Sequence, residues 1–372
     1  MAVPFIDLKR WEPGLQEAWQ KKAAELSESA QFIGGPEVAG LEADLCRDTG
    51  ARHCVGCANG TDALQLALRA AGVGRGDTVL IPDATFWATF ECVVNVGADP
   101  VTVDIDMTDL QMDFDLFVQA VKTHKPKAAI LVHLYGWASA KLIQFREFCV
   151  NNQVILIEDG AQAFGVTYKG ESIYKNALLS TVSFYPAKVL GAAGDAGAVF
   201  TSSDLYAERL RSLGNHGRET HYSYGDVGWN SRLSSFQAAF LRIGLPHVRA
   251  RIASRRDVVK EYRSHLSQLH CMRPPEGFEE NGYLFCILFD PAQRPYMETS
   301  LKEKGIGFGN VYPGSMSSQK GAKQYLKAAV GGDNARKLSA SVLNPPLFPY
   351  MTPAEIDEVV QALRPKAAPF VA

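Results

Sequence analysis

The sequence has no surplus of charge of either sign, few cysteines, no long apolar run and no repeat. Each of these absences removes a class of function. Its 38 Lys and Arg stand against 40 Asp and Glu, a formal net charge of −2. There is thus no basic footprint for nucleic acid and no polybasic face for a membrane surface. Seven cysteines in 372 residues are odd in number and thinly spread, which fits reduced thiols rather than a disulfide framework. Cys54 and Cys57 stand three apart, but no second Cys/His pair sits at metal spacing and a Gly-Thr turn follows. They read as core-lining residues, with no metal site expected. No stretch approaches the roughly 18 apolar residues of a membrane-crossing helix, and residues 1–7 lack the regions of a secretory signal. The expectation is a cytoplasmic protein without nucleic-acid or membrane partners. An apolar content of 47% excludes disorder. The length exceeds the ~250–300 residues that a single core sustains, so two packed domains are expected.

Between residues 63 and 212, short β-branched apolar runs alternate with helical segments. Strands are expected at 78–82, 100–104, 128–134, 154–158, 181–184 and 197–201, and helices at 62–71, 88–96, 115–123 and 142–151. Strands apolar on both faces and separated by helices predict an α/β fold with a mainly parallel sheet between helices. In such sheets ligands bind beyond the carboxyl ends of the strands. After Ser234 the texture changes. A long helical pattern runs from Ser235 through Arg263, a strand is expected near 283–289, and Thr352 caps a closing helix at 353–363. Residues 1–235 are assigned to a large domain with an N-terminal arm, and 236–372 to a smaller α+β domain.

The chemistry concentrates at strand ends. Asp159 closes the run Val154–Asp159, where a bare carboxylate needs a cation unless it caps a turn. Ser183 and Lys188 follow in Ser-Phe-Tyr-Pro-Ala-Lys, ahead of Gly191, Gly194 and Gly197. A lysine in an apolar, glycine-rich turn is suited to Schiff-base chemistry, although a lone lysine more often snorkels to solvent. Asn59-Gly60-Thr61-Asp62 opens a helix, whose free N–H groups suit a phosphate. Phe86 and Trp87 offer an aromatic face. Gly72-Val-Gly-Arg-Gly76 precedes its strand instead of following it, the wrong order for a dinucleotide fingerprint. Together the phosphate turn, the aromatic platform, the strand-end Asp and the Ser five before a Lys describe pyridoxal 5′-phosphate bound to a lysine.

With these motifs the chain resembles the DegT/DnrJ/EryC1/StrS sugar aminotransferases, from Val3–Lys9 and Asn59–Ala63 through Val132–Gly136, Glu158–Gln162, Ser183–Lys188, Asn230–Leu233 and Pro346–Pro349. The resemblance implies fold type I, with a seven-stranded-type sheet, and an aminotransferase that carries pyridoxal phosphate. It implies Lys188 as the lysine that holds the cofactor and shuttles the proton, Asp159 against the pyridinium nitrogen, and Gln162 at the ring's 3-oxygen. Phe86 would stack on the ring, with Trp87 a competitor for that place. Gly60, Thr61 and Ser183 would hold the phosphate. Asn230 would complete the phosphate site of a partner subunit, making a homodimer with shared sites. Arg232 is the candidate for the donor's carboxylate, and Tyr312 for substrate contact.

The reaction implied is transfer of an amino group, with L-glutamate as the expected donor, to a UDP- or dTDP-linked keto-sugar in amino-sugar biosynthesis. Val311 stands where many relatives have histidine, and Asn281–Phe285 replaces a His-rich segment. An acceptor without a nucleotide, such as a cyclitol or keto-sugar acid, therefore stays open, as does a non-catalytic cofactor-binding sensor.

Overall fold

The computed structural model describes residues 2–364. Eight strands form the central sheet: β1 (His53–Cys57), β2 (Thr78–Pro82), β3 (Asp99–Val103), β4 (Ala128–Val132), β5 (Ile155–Asp159), β6 (Leu179–Ser183), β7 (Gly197–Thr201) and β8 (Ala328–Val330). Their order is β1-β7-β6-β5-β4-β2-β3-β8. β7 runs antiparallel to both of its neighbours, and every other pairing is parallel. The sheet is apolar on both faces because alternate residues point to opposite sides. Ile81, Ile130 and Val199 enter one core, whereas Leu80, Leu131 and Phe200 enter the other. Cys57 and Cys54 divide in the same way, both buried. They line the core as expected, and their separation across the sheet excludes a shared metal or disulfide.

Seven strands come from residues 53–201. The eighth, β8, lies within the stretch assigned to the smaller domain, yet it pairs in parallel with β3 from Ala328–Val101 to Val330–Val103. Residues 328–330 thus belong with the large sheet. Val3 of the N-terminal arm makes the reverse crossing: it is fully buried among Val259, Tyr262, Leu343 and Phe348 and bridges to Ile306. That smaller core also holds a three-stranded antiparallel sheet of His270–Cys271, Ile287–Leu288 and Val342–Leu343.

Two expectations change. The helical pattern 235–263 is broken into Ser235–Gly244 and Val248–His265 by a 3-10 turn at Leu245–His247; Pro246 lacks the N–H that continuity needs. Of the strand expected over 283–289, only Ile287–Leu288 pairs. Gly282 at φ +65° turns the chain before it. The closing helix Pro353–Leu363 has a full capping box between Thr352 and Glu355. No described helix is long and apolar enough to cross a membrane.

Candidate active site

The shared direction of β1, β5 and β6 brings Asn59–Thr61, Asp159 and Ser183 to one edge of the sheet. A cavity of about 740 Å³ opens there. Gly60, Thr61, Phe86, Asp159, Gln162, Ser183, Lys188 and Tyr312 all line it. The phosphate-type end is built from the helix Gly60–Ala70, where Asn59 Oδ1 accepts the Asp62 N–H at 2.8 Å. The first amides of a helix have no partner within it, so those of Gly60 and Thr61 are available to an anion. Ser183 stands directly against this turn: a Cβ on Gly60 would lie 2.7 Å from the Ser183 Cβ. Gly197 is as tightly constrained, since its Cβ would lie 2.5 Å from the Asn59 carbonyl.

Asp159, which lines the same cavity, is 5% exposed. Its Oδ1 accepts the Ala161 N–H at 2.9 Å, and its Oδ2 accepts the Thr89 hydroxyl at 3.4 Å. Burial pushes its carboxyl above the usual range, against the pull of the Ala161 amide and the Lys188 charge. A buried carboxylate hydrogen-bonded only by neutral donors is costly, and a protonated ring nitrogen set against it would relieve that cost. Gln162 is held from both sides. Its Oε1 accepts the Tyr135 N–H at 2.6 Å, and its Nε2 donates to the Tyr312 hydroxyl at 2.6 Å. Burial raises the Tyr312 phenol well above its ordinary value, so it stays protonated. Lys188 Nζ donates to the Tyr283 hydroxyl at 3.2 Å.

Of the two aromatic candidates, Phe86 lines the cavity, 54% exposed, with its ring 5.6 Å from that of Tyr312. Trp87 instead stacks on Phe90 at 5.0 Å. Among the described residues, the charged groups that line the cavity are Lys188, Asp62, Asp159 and Asp195. An anion-capable turn, a buried carboxylate and a lysine lining one cavity make up a donor set that suits pyridoxal phosphate.

Two expected residues are not brought into this cavity by their own chain. Asn230 and Arg232 are exposed and bonded to each other, the Asn230 Oδ1 accepting from Arg232 Nη2 at 2.7 Å. Conversely, Tyr283, Asp195 and Phe5 line the cavity without having been singled out. For Tyr283 the available signal was the Asn281-Gly282 dipeptide, a turn-former that delivers the next side chain inward.

Residues 13–364 match the DegT/DnrJ/EryC1/StrS aminotransferase family. The chain belongs to this family. It is 36% identical over 366 residues to the UDP-2-acetamido-2-deoxy-3-oxo-D-glucuronate aminotransferase of Pseudomonas aeruginosa, spanning 97% of this chain and 99% of that one. It is 35% identical over 365 residues to the UDP-N-acetyl-3-dehydro-α-D-glucosamine 3-aminotransferase of Acidithiobacillus ferrooxidans, spanning 98% and 97%. Among solved structures, Streptomyces venezuelae DesV in complex with a ketimine intermediate superposes with a TM-score of 0.92 at 33% identity, covering 98% of each chain. As a DegT/DnrJ/EryC1/StrS protein the chain is an aminotransferase with the fold-type-I architecture, a large mainly parallel sheet between helices.

Proposed function

We propose that this chain is a pyridoxal-phosphate-dependent aminotransferase that moves an amino group from L-glutamate to a nucleotide-linked keto-sugar. The observation that carries the reading is the convergence of Lys188, Asp159, Gln162 and the Gly60–Ser183 turn on one cavity. The nucleotide-linked acceptor rests on the relatives, two of which are named for UDP-linked keto-sugars.

Pyridoxal phosphate, when bound, supplies an electron sink for charge developing at the amino acid's α-carbon. The chain's own residues supply the rest. Asp159 would hold a protonated ring nitrogen, and Gln162, locked by Tyr135 and Tyr312, would hold the ring's 3-oxygen. The amides of Gly60 and Thr61 and the Ser183 hydroxyl would hold the phosphate, and Phe86 would pack on the ring. Lys188 takes and returns a proton at Nζ. Asn230 and Arg232, turned outward, are read as entering the cavity of a partner subunit in a homodimer. There Arg232 would clasp the donor's carboxylate with both guanidinium arms.

The deciding experiment is an acceptor panel of 3-keto and 4-keto hexoses, each free and as its UDP or dTDP ester, with L-glutamate as donor. Amination of the nucleotide esters alone is expected. Amination of the free sugars alone would overturn the nucleotide-linked reading. Purified protein should show the visible absorbance of bound cofactor, lost in Lys188→Ala and bleached by L-glutamate. Mixing Lys188→Ala with Asn230→Ala chains should recover activity through one intact shared site, and complete failure would count against the shared-site dimer.

A further inference from the structure

We propose that Tyr283 is a catalytic residue of this site, its hydroxyl holding Lys188 Nζ through both protonation states. The inference rests on the cavity's reading as the aminotransferase site. Nζ lies 3.2 Å from the Tyr283 hydroxyl and 4.7 Å from the centre of its ring. Among the described residues that hydroxyl is the hydrogen-bond partner of Nζ, and no carboxylate is paired with it.

A lysine that must gain and lose a proton in each cycle is poorly served by a carboxylate, which would clamp it as the ammonium ion. A phenol carries no fixed charge and suits both forms of the amine. Its oxygen accepts from the ammonium, and its O–H donates to the free amine. The ring face adds attraction for the cation at this distance. Tyr283 therefore restrains the position of Nζ without fixing its charge.

The backbone around Tyr283 is built to keep it there. Asn281, fully buried, accepts the Tyr283 N–H at 2.8 Å on its Oδ1. Its Nδ2 donates to the carbonyls of Gln162 and Phe164, both at 2.9 Å. The same amide thus ties Tyr283 to the segment that carries Gln162. Gly136, at φ +105°, leaves room for this join, since a Cβ there would lie 2.4 Å from Asn281 Oδ1. On the other side the Gly282 carbonyl accepts from Arg255 Nη1 at 3.2 Å.

The test compares Tyr283→Phe and Tyr283→His with the wild-type chain. Tyr283→Phe keeps the ring and its packing, so unchanged thermal melting and cofactor absorbance are expected. Its kcat should fall about tenfold to a hundredfold, the range for a lost hydrogen bond to a charged group, while KM for donor and acceptor stays within about twofold. Tyr283→His, whose ring nitrogens can donate and accept, should recover part of kcat. A readout free of turnover is acylation of Lys188 in the cofactor-free chain, followed by mass spectrometry against a surface lysine. Loss of the restraining hydroxyl should speed it at least about threefold in Tyr283→Phe. An active wild type with Tyr283→Phe unchanged in kcat and in Lys188 acylation would overturn this proposal alone. Equal losses in the Phe and His variants would also overturn it, by assigning the effect to ring shape. A wild type that takes up no cofactor would instead overturn the functional reading beneath it.

Discussion

Glu158 and Asp159 are consecutive on β5, both nearly fully buried, and their environments drive their carboxyls in opposite directions. Alternation along the strand sends one to each face. Glu158 receives Arg146 Nε and Nη2, each at 2.8 Å, and approaches His133 Nε2 at 3.2 Å. Burial alone would raise its carboxyl, but Arg146 and His133 together hold it below the usual range. Asp159 has no such clamp, and burial raises it. One residue anchors the strand, and the other presents an under-compensated carboxylate to the cavity.

Arg146→Ala should therefore destabilise the fold by about 3 kcal/mol, because it strands a buried carboxylate. The pH dependence has a definite sign. A lowered folded-state value means that Glu158 contributes stability above its unfolded value near 4.5, lost as pH falls through the folded value. Removing Arg146 should move the acid-unfolding midpoint to higher pH, measured by circular dichroism between pH 3 and 7. An unchanged midpoint would refute the clamp.

Asp159 carries the opposite sign. Its raised folded-state value means that ionisation opposes folding at neutral pH, and the penalty fades as pH falls toward the unfolded value of 3.8. Asp159→Asn should leave the cofactor-free chain more stable than wild type at pH 7–8, with the difference shrinking on acidification. Turnover should nonetheless drop about a hundredfold to a thousandfold, as when a preorganised electrostatic partner is removed. A variant both less stable and still active would show that Asp159 serves the fold rather than the ring nitrogen.

Much of this site is legible in the sequence because strands buried on both faces leave few choices of residue. The expected ends of β2 to β7 fall close to those observed, and Asp159, Ser183 and Lys188 follow from them. Three things are not legible. β8 is only Ala-Ala-Val, and its pairing with β3 joins residues more than 200 positions apart, so no local pattern encodes it. Aromatic residues at 283–289 mimic a strand, whereas Gly282 and the Asn281 amide make 281–284 a turn that aims Tyr283 inward. The roles assigned to Asn230 and Arg232 depend on a second copy of the chain, which local spacing cannot specify.

The cysteines give a chemical check on the fold. Cys54, Cys57, Cys92, Cys149 and Cys286 are buried, whereas Cys46 and Cys271 are partly exposed. Burial pushes the Cys149 thiol up to about 12 and that of Cys271 up to about 11, and the thiolate is the reactive form. Ellman's reagent at pH 8 should titrate no more than two of the seven thiols in the native chain and all seven in denaturant. Rapid native reaction of Cys54 or Cys57 would contradict their burial on opposite faces of β1.

Gly60→Ala tests the phosphate turn most directly. The new Cβ would sit 2.7 Å from Ser183 Cβ and 3.3 Å from its Cα, and neither is the end of a flexible side chain. Either the helix N-terminus or the β6 end must move, and both hold the amides and hydroxyl assigned to the phosphate. Overpacking of this kind costs about 1–3 kcal/mol, and misaligned donors should weaken pyridoxal phosphate binding at least about tenfold, equivalent to 1.4 kcal/mol. Gly74→Ala is the matched control. Its Cβ would meet only the Val96 carbonyl at 3.9 Å, so melting and affinity should stay near wild type. Pyridoxal, which lacks the phosphate, should discriminate further: its binding should fall less in Gly60→Ala than that of pyridoxal phosphate. Equal losses for the two ligands would place the phosphate elsewhere in the cavity.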